Sequence, residues 1–356
     1  MLECIAMRFL TQLPLQKALP ALLIWGLFGS VPAAAEGPVT HVAYSDSGRY
    51  LGAASSNEFR LWNLQKPAET PLYFKHSALI THFSLSPQGD YALLVDDQGQ
   101  YTVLDTARNT AVQTRQYPSA NQSSDISPDG RWFAFGNRLG KLYVGQTSDW
   151  TVTEEAAAHH FSTKSLVFSP DSRYVYTGGW DQLVKRFEVG KLNEKKSAQI
   201  FSAGVKGIKA HVGMVNEVAV SPNGKYLLSG SFCDGAGNLS DPPPQDAVIR
   251  VWDTASKKPV LAHKITYGVT GTVFFPGTVS EKAYVIASSA GQFWGPLHEW
   301  DLKSGTMRPV TTEQGPLINV SSVAMHPLED VAAIGTSEGH IRLLDRSTQK
   351  ITKDIL

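Results

Sequence analysis

One short unit is written into this chain seven times, and that repetition limits the fold more than any other feature. It runs HVAYSDSGRYLGAASSNEFRLWNL (41–64), HFSLSPQGDYALLVDDQGQYTVLDT (82–106), SSDISPDGRWFAFGNRLGKLYVGQT (123–147) and SLVFSPDSRYVYTGGWDQLVKRFEV (165–189). The fifth copy, EVAVSPNGKYLLSGS…AVIRVWDT (217–254), is split by an insertion, and residues 270–302 and 321–347 complete the set. The turn serines Ser45, Ser86, Ser127 and Ser169 stand 41, 41 and 42 residues apart, and later steps lengthen to 52, 54 and 51.

Within a unit the pattern is that of strands. Alternating apolar residues such as Val218 and Val220, or Leu166 and Phe168, put one strand face on a core. Ser-Pro-Asp-Gly or a close variant follows, where proline presets φ and glycine accepts a positive φ. Two further strands and a weaker fourth complete about 40 to 45 residues, the period of a propeller blade. A lone four-stranded sheet leaves both faces partly wet, whereas a ring of them buries both. The predicted fold is all-β: a seven-bladed β-propeller of four-stranded antiparallel blades over residues 36–356.

These residues resemble the WD40 family over nearly all of that span. Trp252-Asp253 and Trp300-Asp301 match its dipeptide, and Trp62-Asn63 is close. The resemblance implies a hydrogen-bonded His–Ser/Thr–Asp–Trp set within a blade. It maps onto His211, Ser229, Asp246 and Trp252 in the fifth unit, and onto His159, Thr177 and Asp181 in the fourth, where Phe187 replaces tryptophan. In the second unit His76 and Asp97 read as a remnant, with Leu94 and Leu104 in the other places. ISPDGRWFAFG also looks like TolB-type repeats, and FSPDSRYVYTGG like those of exported YVTN propellers. WD40 rings are commonly locked by an N-terminal strand that completes the last blade. Here Glu36 falls almost at the first inner strand, so contiguous blades closed by packing alone are expected.

The first 35 residues read differently. Arg8 and Lys17 precede an apolar run, Ala18 to Gly29, and then Ala33-x-Ala35. That is the layout of a cleaved secretory signal. Twelve residues of helix reach roughly 18 Å, short of a hydrocarbon core of roughly 30 Å, so a membrane anchor is the weaker reading. The expected location is the periplasm. Beyond residue 35 the charge is nearly balanced, 30 basic against 31 acidic side chains, with no footprint for nucleic acid. Cys233 is the one remaining cysteine, so no internal disulfide is expected.

No catalytic constellation stands out. Gly335-Thr336-Ser337-Glu338-Gly339 fits G-x-S-x-G but falls between two strands, not on a strand-to-helix elbow. His159 and His160 point to opposite faces of an extended chain, with no third ligand at useful spacing. The acidic set Asp234, Asn238, Asp241 and Asp246 matches no calcium loop. No metal, cofactor or enzymatic activity is predicted.

The insertion FCDGAGNLSDPPPQD (232–246) carries the functional expectation. Phe232, Cys233 and the stiff run Pro242, Pro243 and Pro244 lie between two strands of the fifth blade. Phe293 and Trp294 occupy the same place in the sixth blade, and Trp180 in the fourth. Aromatic anchors on preordered loops suit a partner-binding surface. The expectation is a non-catalytic, monomeric scaffold that docks another periplasmic or envelope protein through the loop face of blades 4–6. The alternative is a propeller enzyme or enzyme subunit, lactonase-like or in an electron-transfer complex, with a site at the central channel. Carbohydrate or envelope-polymer binding is a third.

Overall fold

The computed structural model describes residues 37–194, 197–202, 210–232, 248–265, 268–276, 282–288 and 294–355. Seven antiparallel units of four strands follow one another along the chain. Their inner strands are Val39–Tyr44, Ile80–Leu85, Asn121–Ile126, Thr163–Phe168, Met214–Val220, Gly268–Phe274 and Val320–Met325. Each packs beside the next, and the seventh packs beside the first, so the sheets close into a ring around an axis. This is the predicted seven-bladed propeller. Blades 5 and 6 are joined at one point, where Phe232 pairs with Gly268.

The turn serine is repeated because its hydroxyl has a fixed task. Ser45, Ser86, Ser127, Ser169 and Ser221 each accept the backbone N–H five residues on, at 2.8 to 3.1 Å. That bond closes the tight turn between inner and second strands. Glycine takes the positive φ there in four of these turns (Gly48, Gly89, Gly130, Gly224), and Ser172 takes it in blade 4.

The apolar core is divided, as the architecture requires. Seven clusters of buried side chains form among the described residues, one between each pair of adjacent blades. The cluster between blades 7 and 1 unites Val39, Val42 and Leu51 with Ala333, Ile341 and Leu343.

Each blade is contiguous in sequence, as expected, with Val39–Tyr44 paired to Tyr50–Ser55 of its own blade. The expectation of closure by packing alone needs correction. Ser321 Oγ donates to Val39 O at 2.5 Å, and Val42 N donates to Ser322 Oγ at 3.0 Å. His326 Nε2 meets Gly48 O at 3.0 Å. These bonds repeat elsewhere: Thr81 Oγ1 donates to Asn121 O, and Val218 N donates to Ser165 Oγ. Hydroxyls on the inner strands tie blade 2 to blade 3 and blade 4 to blade 5, and the seam between last and first is tied in the same way.

Two faces follow. The chain arrives at every inner strand on one side of the disc, the upper face, where the turn between second and third strands also lies. Backbone bonds join the two: Asp97 N to Leu79 O, Arg138 N to Ala120 O, Trp180 N to Ser162 O and Ser337 N to Asn319 O, at 2.9 to 3.1 Å. The serine turns lie on the lower face.

Candidate functional site

The predicted polar set is built in blade 4. His159 Nδ1 lies 2.7 Å from Asp181 Oδ1, and its Nε2 lies 2.9 Å from Thr177 Oγ1. Asp181 also accepts the N–H groups of His160 and Leu183, which pins the upper turn to the strand below. Those hydrogen bonds and the imidazole hold its carboxyl below the ordinary range against the opposing effect of burial. Burial lowers the His159 pKa despite the carboxylate. In blade 5, His211 Nε2 and Trp252 Nε1 both meet Ser229 Oγ at 2.7 Å. Asp246 lies outside the described residues.

Blade 2 corrects the predicted remnant. His76 pairs with Asp96, Nδ1 to Oδ2 at 3.6 Å, and not with Asp97. Its Nε2 finds Thr102 Oγ1 at 3.0 Å. Thr102 is the cross-strand partner of Leu94, the position where blade 4 has Thr177. The missing hydroxyl is supplied from the neighbouring strand.

Of the predicted docking residues, Trp180 is 37% exposed at the upper face, and its Nε1 donates to Asn216 Oδ1 of blade 5 at 3.2 Å. Phe232 is half-buried with its ring on the bare backbone of Gly268, where a Cβ would meet Cδ2 at 2.4 Å. Trp294 is half-buried beside Gly295, which exchanges two backbone bonds with Val320 of blade 7. Cys233, Pro242, Pro243, Pro244 and Phe293 lie outside the described residues, as do residues 1–35. The G-x-S-x-G stretch spans the end of a strand and an upper turn in blade 7, with Gly339 N bonded to Thr336 O.

The apolar character of the upper face extends beyond the predicted aromatics. Leu79, Leu139, Phe161, Val212 and Ile318 join Trp180 there as exposed large side chains, Phe161 at 63% and Leu139 at 60%. Among the described residues the other such side chains are Tyr73, Val112, Ile200 and Val260 on outer strands, and Leu328 alone on the lower face.

The axial channel is more polar than the inner-strand sequences suggest. His41 and His82 pack with ring centroids 3.9 Å apart and ring planes inclined by 38°. His82 Nδ1 meets both the backbone N–H and the hydroxyl of Ser124, at 3.3 and 3.2 Å. Burial lowers His41 to about 4 and His82 well below its ordinary value, so both rings are neutral at pH 7. Beyond these histidines the inner strands also carry Asp125, Lys164 and Glu217. Asp125 Oδ2 accepts Phe168 N from blade 4 at 2.8 Å, and burial still pushes its pKa up to about 7. Lys164 Nζ reaches Gln122 Oε1 at 3.3 Å. Burial pushes Glu217 up to about 8 and lowers Lys164. These side chains are half-buried, and enclosure among the inner strands sets their ionisation. Among the described residues no group of three or more His, Cys, Asp or Glu is arranged to hold a metal ion. No described helix is long and apolar enough to cross a membrane.

Comparison with known proteins agrees with this architecture. The family described as WD domain, G-beta repeat matches residues 29–63, 156–188 and 204–253. Actin-interacting protein 1 of Drosophila melanogaster is 26% identical over 66% of this chain and 38% of its own. WD repeat-containing protein 1 of Xenopus tropicalis is 20% identical over 90% of this chain and 57% of its own. An uncharacterized WD repeat-containing protein of Synechocystis is 23% identical over 43% and 42% respectively. The chain spans less than two thirds of the length of each.

Proposed function

We propose that this WD40-repeat protein is a non-catalytic scaffold that docks another protein on its upper face, around blades 3 to 6. Proteins built from these repeats are generally interaction scaffolds without enzymatic activity, which supports the coarse assignment.

The observation that carries the reading is the unequal distribution of exposed apolar side chains. Scattered single ones need no explanation. Here Leu139, Phe161, Trp180 and Val212 stand on the upper turns and connections of consecutive blades 3, 4 and 5. Among the described residues the lower face shows one such residue, and its serine turns carry Arg49, Arg131, Arg173 and Lys225. Apolar anchors on a stiff ring lower the entropy cost of association. Trp180, Phe232 and Trp294 of the predicted set belong to this face. The signal-like residues 1–35 support export, with a periplasmic or envelope protein as partner.

Crosslinking in the native envelope followed by mass spectrometry identifies partners. Phe161→Ala with Leu139→Ala is expected to abolish their recovery while unfolding shifts by less than about 0.5 kcal/mol, since both side chains are largely in solvent. Undiminished recovery with the double variant defeats the proposal.

A further inference from the structure

We propose that the upper mouth of the axial channel, between Arg138, Lys164 and Glu217, receives the side-chain carboxylate of an Asp or Glu carried in an apolar segment of the docked protein. This rests on the docking reading above and specifies what the partner must present.

The position follows from the fold. Lys164 is the second residue of its inner strand, near the upper end, and Glu217 is the fourth of seven in the next. Asn216, beside Glu217, holds the Trp180 indole, and Arg138 precedes the exposed Leu139 in the upper turn of blade 3. Arg138 and Glu217 are both close enough to act on the charge of Lys164. The apolar residues of blades 3 to 5 therefore surround a polar centre.

Among the described residues that centre lacks a matching anion. Lys164 Nζ has a neutral amide oxygen for company, Gln122 Oε1, and no described carboxylate lies within 4.0 Å of it. Arg138 adds a second positive charge nearby. Among the described residues Glu217 is the carboxyl whose charge acts on the lysine, and enclosure favours its protonated form around neutral pH, when it is a donor. The strands packed on that of Glu217 within blades 4, 5 and 6 (Tyr174–Gly179, Tyr226–Phe232 and Gly268–Phe274) bring no charged residue. His82, near enough for Lys164 to lower its pKa, is kept neutral by burial and adds no charge there. A cation and a neutral donor in an enclosed site complement a carboxylate, and charge-assisted hydrogen bonds to one are the strong ones. A cationic ligand would meet Lys164 and Arg138 instead, with no ionised acceptor among the described residues of that mouth in compensation.

The test is selection of random short peptides, displayed with their C-termini fused to phage so that terminal carboxylates are absent, on the purified full chain. Enriched peptides are expected to carry Asp or Glu among apolar residues. Their Glu→Gln or Asp→Asn forms should bind about tenfold more weakly or worse. Lys164→Met should abolish the difference between acidic and amide peptides, and Lys164→Arg should retain it. If Lys164→Met does not fold, the paired peptides on the unaltered protein decide. Recovery of no peptide, of peptides without a carboxylate, or of acidic and amide forms with equal affinity overturns the inference. Carboxylate-free peptides that still depend on Phe161 and Leu139 leave the docking reading standing, and peptides indifferent to both residues remove it too.

Discussion

The Trp180 indole of blade 4 is held by a hydrogen bond from Nε1 to Asn216 Oδ1 of blade 5, at 3.2 Å. An exposed aromatic is thereby fixed across a blade boundary, beside the channel mouth. Asn216→Ala is expected to leave the fold within about 1 kcal/mol of the parent, the usual net worth of one hydrogen bond. Binding of selected peptides should weaken, because the indole must then be ordered on association. Titration of one fluorescent peptide against both proteins measures this, and equal affinities would remove the positioning role of Asn216.

Asp181 is the hub of its blade, accepting from His160 N and Leu183 N while paired with His159. Asp181→Ala orphans buried donors around a charged acceptor, at a cost of about 1.5–3 kcal/mol or more. Its folded pKa is lowered, so its contribution is present above the unfolded value of 3.8 and is lost as pH falls through the folded one. Urea unfolding of Asp181→Ala and parent should therefore differ at pH 7 and converge in strong acid.

Glu217 gives the opposite slope. Its folded pKa is raised from 4.5 to about 8. The folded state thus holds the proton over a range where the unfolded chain has released it, and stability falls as pH rises between those values. Glu217→Gln removes this titration. The stability of the parent relative to the variant should decline from about pH 4.5 to about pH 8 and then level off, with Asp125 and Lys164 present in both proteins and cancelling to first order. A difference that stays flat across that window would mean that the carboxyl is better solvated than the channel geometry implies.

The ring, the blade boundaries and the His159–Thr177–Asp181 set were legible in sequence because they rest on local features: a period, a serine turn and a fixed spacing. The channel was not. Register shifts in the inner strands, such as those between Thr163 and Ser165 or Val215 and Glu217, break simple alternation. Which side chains meet the bore therefore cannot be counted off by twos, and Lys164 and Glu217 read as ordinary strand residues. The blade 2 set was misread for a related reason. Thr102 replaces the hydroxyl of a residue on another strand, and only the cross-strand pairing with Leu94 reveals the substitution. Leu139 and Phe161 carry a readable signal, apolar residues at positions that the repeat assigns to turns and connections.

Gly140 shows how closely the upper turns sit on the connections beside them. Its φ is +75°, and a Cβ there would lie 2.0 Å from the backbone oxygen of His159 and 2.4 Å from that of Phe161. Both obstacles are main chain, so relief requires moving the connection that bears Phe161. Gly140→Ala is expected to destabilise by about 1–3 kcal/mol, the range for overpacking, beyond the cost of the left-handed conformation. Peptide binding should fall with it, since Phe161 is displaced. Gly190→Ala, with φ +86° and nothing near its Cβ position, isolates the conformational cost and should leave binding intact.

The manner of ring closure makes the sharpest prediction. Ser322 accepts Val42 N across the seam between the last and first blades at 3.0 Å, and Ser165 accepts Val218 N between blades 4 and 5 at 3.1 Å. The first bond spans 280 residues of sequence and the second 53. Each serine is buried, so replacement by alanine leaves a buried backbone N–H unpaired at about 1–3 kcal/mol. If the seam is one blade interface among seven, Ser322→Ala and Ser165→Ala should lower stability by similar amounts and keep a single cooperative transition. If the ring depends on its seam, Ser322→Ala alone should open the disc, giving a second, earlier transition and protease cleavage concentrated in blades 1 and 7. Hydrogen exchange along the inner strands separates the two outcomes. The matching hydroxyl bonds and the continuous apolar cluster of Val39, Val42, Ala333 and Ile341 favour equal costs.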